Sequence, residues 1–528
     1  MQNTAFDFIR EYLHASLEKT NERYKCILRI MLFTALLAYC MLIITGVTCP
    51  DGLCEGYTYY TGADWASRNG RWAIRYLNLL TGNIVIPIYT VSMYCLCISI
   101  VVLMLTDLFK IRKRVSVIFI TAAMTASPSI TAQFLYTYMA LAYGVSCLLS
   151  TFFVWILHRG KGRYKYVLAA GSMAVSLGMY QSYVGFSVLL ITMLLVTELL
   201  TYVPWCVWGG HVAKFAICGC GGCILYLLIM KIDLKVRNLS AAGRVGAFNI
   251  KVIIKSLLQS TGKNAYQNFG NYFKDTVLHR NFLYFSFITI SVLLLCTALI
   301  KLYKQHKYMN IFVIIILILL MPLAANTTEI LIPGSISYIV MQYQYVLIIP
   351  FFTGIAEHIN PKIRILHFFK TATCIICGLI AWTYIISANA TYTCYKLSYS
   401  HINFETSLVL SEIYRLPDYV PSETTIIFAG FPNADELVEQ IPTYKYAVHY
   451  TDNPVFWEDI NGATGNRRSY LMHYFGIDGK SLDMETYENI AGSDEFKKMA
   501  VWPADGSVKM INETAVVKFT EHPPGVQQ

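Results

Sequence analysis

Three acidic residues and three arginines lie close together between the first two long apolar segments of the chain. An arginine side chain binds phosphate through two parallel hydrogen bonds and keeps its charge. A carboxylate can accept the proton of an attacking hydroxyl group. The pattern therefore fits transfer of a sugar from a lipid-linked phosphate, with one carboxylate as general base and the arginines on the leaving phosphate. The candidates for these two roles are Asp51, Glu55 and Asp64, and Arg68, Arg71 and Arg75.

The spacing of the arginines predicts that they share one face of a helix. At 100° per residue, a single helix over residues 63–80 places Asp64 and the three arginines within an arc of about 80°. Tryptophan and tyrosine residues gather on a neighbouring face, which is typical of a helix at a membrane interface. A simpler interpretation stays open, because any interfacial helix keeps its charges among the lipid headgroups. Asp64 can then be a helix N-cap, and Asp51 and Glu55 ordinary solvated residues.

Most of the remaining chain consists of segments that can cross a membrane. Of 528 residues, 55% are apolar and 14% are charged, whereas soluble proteins carry about 25% charged residues. The mean hydropathy is +0.48. Since roughly 20 apolar residues of helix cross a bilayer, we expect a mainly α-helical, polytopic membrane protein with about eleven spans. These lie near residues 27–47, 84–106, 115–127, 134–157, 166–180, 184–203, 212–230, 282–300, 309–325, 338–356 and 371–390.

The basic residues are unevenly distributed along the chain. Residues 1–390 hold 32 Lys and Arg against 13 Asp and Glu, whereas residues 391–528 hold 10 against 19. The positive charge lies largely in short loops between apolar segments, where it determines membrane topology. The basic balance therefore does not indicate nucleic-acid binding, and the lipid bilayer is the expected partner.

The charge pattern also predicts the orientation of the chain. We expect a cytoplasmic N-terminal segment at residues 1–26, a transmembrane domain at 27–390 and a small extracytoplasmic α/β domain at 391–528. External loops are expected near residues 48–83 and 231–281. The second loop contains nine Lys and Arg residues, but long loops follow the positive-inside rule weakly.

A tight turn between two predicted spans offers groups that suit a sugar. Tyr180, Gln181 and Tyr183 supply aromatic faces and an amide, and a turn at that depth is either buried in protein or lines a wet cavity. Glu329, in a short loop at 326–337, is a candidate second acid. The alternative for each residue alone is a packed, hydrogen-bonded turn.

The cysteines and the remaining acids give weaker signals. Cys49 and Cys54 lie in the first external loop, where an oxidising compartment permits a disulfide. No histidine or further cysteine in that loop completes a four-ligand centre, so we predict no metal site there. Asp107 and Glu198 lie near the ends of spans, where pairing with basic residues or snorkelling accounts for them.

Three short motifs follow one another along the chain: Asn69-Gly70-Arg71-Trp72, Tyr180-Gln181-Ser182-Tyr183 and Trp502-Pro503-Ala504-Asp505-Gly506-Ser507. Together with about eleven spans, this order resembles the bacterial serotype-converting (O-antigen) glucosyltransferase family. Those polytopic membrane enzymes are similar in plan to the C-type glycosyltransferases. The resemblance covers essentially the whole chain, although each motif is short.

The resemblance implies an enzyme that moves glucose from a polyprenyl-phosphate carrier to a surface polysaccharide such as O-antigen, outside the bacterial cytoplasmic membrane. We predict no cofactor besides this lipid-linked donor, and a flippase and a polyprenyl-phosphate glucosyltransferase as functional partners. In such enzymes the catalytic acid lies in the first external loop, often as a pair of carboxylates. The corresponding residues here are Cys54-Glu55, which favours Glu55 as base and leaves Asp64 and Asp51 as competitors.

Two other functions remain compatible with the sequence. A polysaccharide polymerase or ligase would use a diphosphate-linked glycan and keep the same basic outer groove. A transporter of lipid-linked sugars would move its substrate across the bilayer without forming a glycosidic bond. The acids and arginines of the first external loop, and the large external tail, favour an enzyme.

Overall fold

The computed structural model describes most of the chain, apart from short segments and the two termini. It describes residues 16–56, 58–242, 255–257, 261–274, 280–332, 338–358, 364–421, 423–432, 438–447, 462–477 and 483–525.

The first half of the described chain contains eleven helices. They are α1 (Thr20–Thr45), α2 (Pro50–Gly56), α3 (Ala63–Arg68), α4 (Ala73–Leu80), α5 (Pro87–Leu108), α6 (Arg114–Thr125), α7 (Pro128–Leu135), α8 (Thr137–Arg159), α9 (Tyr164–Met179), α10 (Tyr183–Leu200) and α11 (Trp205–Val236).

The second half adds six helices before the C-terminal domain. They are α12 (Gly262–Tyr272), α13 (Arg280–Lys304), α14 (Tyr308–Ala325), α15 (Thr327–Leu331), α16 (Ile348–His358) and α17 (Arg364–Ile413). Two 3₁₀ segments, Ile339–Met341 and Tyr343–Leu347, precede α16.

Nine helical segments within the described part of the chain are long and apolar enough to cross a membrane. Many large apolar side chains on them are exposed, including Phe33, Ile217 and Phe285. Exposed apolar surface of this extent suits contact with lipid. The predicted class, a mainly α-helical polytopic protein, is therefore confirmed.

Two of the predicted spans are not among these nine segments. α9 has 16 residues, and the span predicted at 338–356 consists of 3₁₀ turns followed by the 11 residues of α16. The second of these still runs from one end of the helix bundle to the other. Near its start the carbonyl of Val340 accepts a hydrogen bond from Gln133, and near its end Glu357 accepts one from the backbone N–H of Arg112.

The two ends of the bundle differ in charge. We call the end that holds residues 46–86 the upper end, and the end that holds residues 109–113 and 160–163 the lower end. The basic clusters at Lys110–Arg114 and Arg159–Lys165 lie at the lower end. The helix α12, within the predicted loop 231–281, lies at the upper end, where Asn326 at the end of α14 donates to the carbonyl of Ala265.

Prolines begin several of the helices that form the upper end. Pro50, Pro87 and Pro128 are the first residues of α2, α5 and α7, where the missing N–H removes no intrahelical bond. Pro128 also separates α6 from α7, because the residue before a proline is disfavoured in helical conformation. Ser127 accordingly adopts φ −49° and ψ 140°.

The C-terminal domain contains a three-stranded sheet. Its strands are β1 (Thr425–Ala429), β2 (Val508–Ile511) and β3 (Thr514–Lys518), in the order β1-β3-β2, with β1 parallel and β2 antiparallel to β3. These strands agree with the α/β domain predicted for residues 391–528. Helices α18 (Arg467–Phe475), α19 (Met484–Ala491) and α20 (Asp494–Lys497) complete the domain.

The long helix α17 joins the bundle to this domain. Its 50 residues span about 75 Å at 1.5 Å per residue, so it continues well past the end predicted at residue 390. The C-terminal domain packs on its last turns, where Tyr470 donates to Asn403 at 2.6 Å and Trp502 donates to Glu405 at 2.9 Å. Asn466 also donates to the carbonyl of Pro50 at 3.1 Å. The domain therefore contacts α2 at the upper end.

Candidate functional site

The arginines of the first loop do not share one helix, which corrects the single helix predicted over residues 63–80. The chain forms α3 and α4, separated by Asn69–Trp72. Gly70 adopts φ +76° in this break, a conformation that other residues reach only at a steric cost. Because the backbone turns here, Arg71 no longer faces in the same direction as Arg68 and Arg75.

Gln181 holds the break in place. Its Nε2 atom donates to the carbonyl of Asn69 at 2.7 Å and contacts the hydroxyl of Tyr226 at 3.2 Å. A Cβ atom on Gly70 would collide with the Tyr226 hydroxyl and lie 2.9 Å from Gln181 Nε2. The Gln181 side chain, which was predicted to bind sugar, is therefore hydrogen-bonded to the backbone before Arg71 and positions that residue.

Arg71 is partly buried and forms no ion pair within the described residues. Its guanidinium lies 5.0 Å from the ring centre of Tyr180, and its Nε atom is buried without a hydrogen-bond partner in the described structure. Tyr60, Tyr138 and Tyr143 also interact electrostatically with this group. Tyr60 stacks on Tyr138, with ring centres 5.7 Å apart, and Tyr143 meets Tyr180 edge-on at 4.6 Å.

Among the described acids of the first loop, Asp51 is the one whose carboxyl is affected by the charge of Arg71. It lies in the first turn of α2 and is largely shielded from solvent. Burial raises the pKa of the Asp51 carboxyl, because an anion loses solvation there, and the charge of Arg71 partly opposes this rise. A carboxylate with a raised pKa is a stronger base than an exposed one, which suits proton transfer from a hydroxyl.

Asp64 is engaged elsewhere. Its Oδ1 atom lies 2.9 Å from Arg75 and 3.8 Å from Arg237, and its side chain is 63% exposed. Arg68 is also exposed, and its carbonyl accepts a hydrogen bond from the backbone of Ala242. The structure therefore separates the predicted arginine set into one buried guanidinium, one exposed side chain and one ion-paired side chain.

Glu55 and the two cysteines belong to the same short segment. Glu55 lies in α2, but its side chain is outside the described residues. The structure forms no disulfide between Cys49 and Cys54, so the possible pairing of these two residues is not present in it. Cys49 precedes α2, and Cys54 lies within it.

Tyr183 lies in a buried hydrogen-bond network beside this cluster. Gln133 donates to the carbonyl of Val340 at 2.9 Å and contacts the Tyr183 hydroxyl at 3.3 Å. The hydroxyl of Tyr94 donates to Gln133 at 2.6 Å. Tyr183 is 3% exposed, so in this structure it acts as a packing residue of the upper end.

Glu329 lies on the other side of the Tyr180–Tyr183 turn. It is buried in α15 and accepts hydrogen bonds from Asn268 of α12 at 3.0 and 3.1 Å. Thr328 donates to the carbonyl of Ser182 at 3.4 Å, which ties this acid to the turn. Asn268 also borders a cavity of about 310 Å³, lined by Pro128, Asn268, Asn271, Tyr272, Arg280, Tyr284, Ile339 and Gln342.

Arg280 is the residue of this cavity that sequence reasoning missed. It is the first residue of α13 and is 1% exposed. In the sequence it counted only as one of nine basic residues in the loop 231–281. Its position directly before an apolar span was the available signal, because a charge at that boundary either snorkels to the interface or enters a polar site.

The candidate site therefore has two sides that meet at residues 180–183. One side holds Asp51 and Arg71 among tyrosines, and the other holds Glu329 and the Arg280 cavity. Among the residues that the structure describes, one set of three potential metal ligands lies close together, His158, Glu198 and His211. That set lies at the lower end.

A family model for the glucosyl transferase GtrII matches residues 55–353. The matched region includes Arg71, the turn at 180–183, Arg280 and Glu329, and it begins four residues after Asp51. No curated protein and no solved structure matches the chain significantly. The family match covers more than half of the chain and agrees with the helical, polytopic fold. The protein therefore belongs to the GtrII glucosyl transferase family, which confirms the predicted glycosyltransferase class.

Proposed function

We propose that the protein transfers a glucosyl, or closely related hexosyl, residue from a polyprenyl-phosphate carrier to a cell-surface polysaccharide such as O-antigen. The observation that carries this proposal is the guanidinium of Arg71, whose buried Nε atom has no hydrogen-bond partner and which forms no ion pair in the described structure. Its charge acts on Asp51. A buried charge without a partner is costly. A phosphate on the substrate would supply the missing negative charge.

The reaction uses Asp51 as base and Arg71 as phosphate ligand. Asp51 takes the proton of an acceptor hydroxyl, and the acceptor oxygen attacks the anomeric carbon of the donor sugar. The bond from that carbon to the phosphate oxygen breaks, and the polyprenyl phosphate leaves with the electron pair. Arg71 stabilises the charge on this leaving group, where electrostatic stabilisation contributes most. Inversion at the anomeric carbon follows from a single displacement.

The tyrosines around Arg71 provide the surface for the sugar ring. Tyr180 presents its aromatic face to the guanidinium, and aromatic faces suit the C–H faces of a hexose. Gln181 is a positioning residue, because it binds the Asn69 carbonyl that precedes Arg71. The cavity at Arg280 and Glu329, across the turn, is where the acceptor glycan enters.

The distribution of basic residues supports an extracytoplasmic upper end. The clusters Lys110–Arg114 and Arg159–Lys165 lie at the lower end, and short basic loops face the cytoplasm. The candidate site and the C-terminal domain would then lie outside the bacterial cytoplasmic membrane. A flippase and a polyprenyl-phosphate glucosyltransferase would supply the donor on that side.

Transfer from polyprenyl-phosphate glucose to lipid-linked O-antigen, with purified enzyme in detergent or liposomes, tests the proposal. We expect Asp51→Asn and Arg71→Ala to lower product formation by about a hundredfold or more. Asp64→Asn and Arg75→Gln are matched controls from the same loop and should keep most activity. Glu55→Gln distinguishes the two neighbouring acids of α2 and should retain activity if Asp51 is the base.

Four results would overturn the proposal. Full activity of Asp51→Asn excludes this residue as base, and full activity of Arg71→Ala excludes the phosphate contact. Product formed from a diphosphate-linked glycan, but not from the monophosphate, would identify a polymerase or ligase. Movement of the lipid-linked sugar across a liposome bilayer without a new glycosidic bond would identify a transporter.

A further inference from the structure

We infer that His158, Glu198 and His211 form a binding site for one transition-metal ion of the Zn²⁺ type at the lower end of the bundle. This site is separate from the glycosyl-transfer site and independent of the proposed reaction. The three residues come from three helices that are consecutive in space. His158 is the second-last residue of α8, Glu198 lies in the last turn of α10, and His211 lies in the second turn of α11.

The ligand atoms of these residues converge on one point. His211 Nδ1 lies 2.5 Å from Glu198 Oε1, and His158 Nδ1 lies 3.2 Å from the same oxygen. One ligand atom from each residue lies within 4.8 Å of the other two. Ligands of a tetrahedral zinc ion are roughly 3.3 Å apart, given metal–ligand bonds of about 2.0–2.1 Å. Small rotations of the side chains therefore convert this cluster into a coordination site.

Two ligand atoms of the cluster have unused bonding capacity. Glu198 Oε2 and His158 Nδ1 are buried and make no hydrogen bond within the described part of the chain. The carboxylate of Glu198 is 6% exposed, against 14% for His158 and 16% for His211. A buried carboxylate oxygen without a hydrogen-bond donor is costly, and a bound cation would satisfy it.

The types of ligand select the class of metal. Two imidazoles and one carboxylate are a known zinc-binding set with an open fourth position for water. The same set disfavours Mg²⁺ and Ca²⁺, which prefer oxygen ligands alone. Lys214 is a nearby positive charge that acts on both Glu198 and His211. Its repulsion weakens the binding of a divalent cation, so its removal should strengthen binding.

The position of the site suggests what the ion does. The same three helices carry Tyr143, Tyr183 and Tyr226 towards the upper end, and Glu198 lies 15 residues from Tyr183, or about 22 Å along α10. The ion is thus too far away to touch the sugar or the phosphate. It would connect the lower ends of α8, α10 and α11 and restrict their separation.

Metal binding to the full-length protein in detergent tests this inference directly. After treatment with a chelator, the protein is titrated with Zn²⁺ by calorimetry and with Co²⁺ by visible absorption. We expect one ion per chain, and a Co²⁺ spectrum of nitrogen and oxygen ligation without thiolate bands. The spectrum matters because Cys206, Cys220 and Cys296 are exposed and can bind metal non-specifically.

Substitutions define the site. His158→Gln, Glu198→Gln and His211→Gln should each weaken binding by about a hundredfold or more, because changes in the outer shell alone cost 10–100-fold. His306→Gln, at an exposed histidine that contacts Tyr308, should leave binding unchanged. Lys214→Gln should tighten binding, which is a result that mere misfolding cannot produce.

Thermal unfolding gives a second readout. Saturating Zn²⁺ should raise the Tm of the wild-type protein, since a ligand of the native state stabilises it, and should not raise the Tm of the three ligand variants. The inference is overturned if the wild-type protein binds no Zn²⁺ at 100 μM (about 5 kcal/mol of binding free energy). It is also overturned if the three variants bind Zn²⁺ as the wild type does.

Discussion

The charged groups around Asp107 and around Arg71 differ in how they are neutralised. At the lower end Asp107 lies 3.2 Å from both Arg112 and Arg159 and accepts a hydrogen bond from Trp155 at 3.1 Å. At the upper end the Arg71 guanidinium lies 5.0 Å from the ring centre of Tyr180 and lacks an ion pair in the described structure. Paired charges of the first kind stabilise a fold, whereas an unpaired buried charge is retained where a ligand completes it.

This difference shows that arginines in similar sequence contexts can have different roles in the folded protein. Arg159 and Arg71 both lie next to an apolar helix, and both count towards the excess of positive charge. Arg159 neutralises an acid of its own chain, so it is satisfied without substrate. Arg71 acts on the charge of Asp51 but forms no ion pair within the described residues, so a negatively charged group of a substrate can still pair with it.

The largest expected effect is a difference in activity between substitutions at Arg71 and at Arg159. Arg71→Ala should lower the rate of sugar transfer by about a hundredfold to a thousandfold, as the loss of a key electrostatic group in a transition state does. Arg159→Ala should change the rate less than about threefold, because only an ion pair distant from the site is lost. Steady-state kinetics with the same donor and acceptor measure both. Equal losses of activity would remove the distinction between the two ends.

The pH dependence of activity should test whether Asp51 is the base. Because burial raises the pKa of Asp51, the acidic limb of kcat/KM should lie above the ordinary range of an aspartate, with activity falling tenfold per pH unit below the inflection. Asp51 must be deprotonated to act as base, so activity is lost as the pH falls. Asp64→Asn should leave the limb in place. Movement of the limb in that variant would instead assign the base to Asp64.

Two glycines with the same backbone conformation provide the next test. Gly70 and Gly162 have φ of +76° and +77°. A methyl group on Gly70 would meet Tyr226 and Gln181, whereas one on Gly162 meets nothing within 4 Å. Both changes to alanine carry a conformational cost of about 1–2 kcal/mol, but only Gly70→Ala should displace Arg71 and lower activity, by about tenfold. Equal activity of the two variants would contradict the positioning of Arg71 by the break.

The smallest effects concern stability alone. Asp107→Asn should lower the free energy of unfolding by about 1–2 kcal/mol, because it deprives Arg112 and Arg159 of their shared partner. Asp64→Asn should change it by less than about 1 kcal/mol, since the pair with Arg75 is exposed. Thermal unfolding in detergent, with activity measured on the same samples, separates the two variants. A greater loss for Asp64→Asn would contradict this ranking.

Much of the fold was predictable because it depends on local composition. The lengths of the apolar segments indicated the long helices, and prolines such as Pro87 and Pro128 marked where helices begin. The α/β domain predicted for residues 391–528 contains the paired strands β1 and β3. The prediction of one continuous helix over 63–80 was wrong, because periodicity does not register that Gly70 can adopt a positive φ and that Gln181, over a hundred residues away, stabilises the turn.

The candidate site was predicted only as a region. The first loop, the turn at 180–183 and Glu329 do meet at the upper end. The sequence did not distinguish Arg71 from Arg75, and it assigned Glu198 to ordinary pairing. The structure instead places Glu198 between two histidines, His158 and His211, which lie 40 and 13 residues away along the chain. Neither contact is indicated by the residues that neighbour Glu198 in the sequence.

By itself, the sequence determined the membrane class, the helical architecture, the asymmetry of charge and the resemblance to the glucosyltransferases. These properties follow from composition, short-range periodicity and the order of motifs along the chain. Only the tertiary structure decided which charges are paired. Whether Arg71 or Asp64 has a partner depends on side chains that other helices bring to it, and such distances are defined only when the helices are packed.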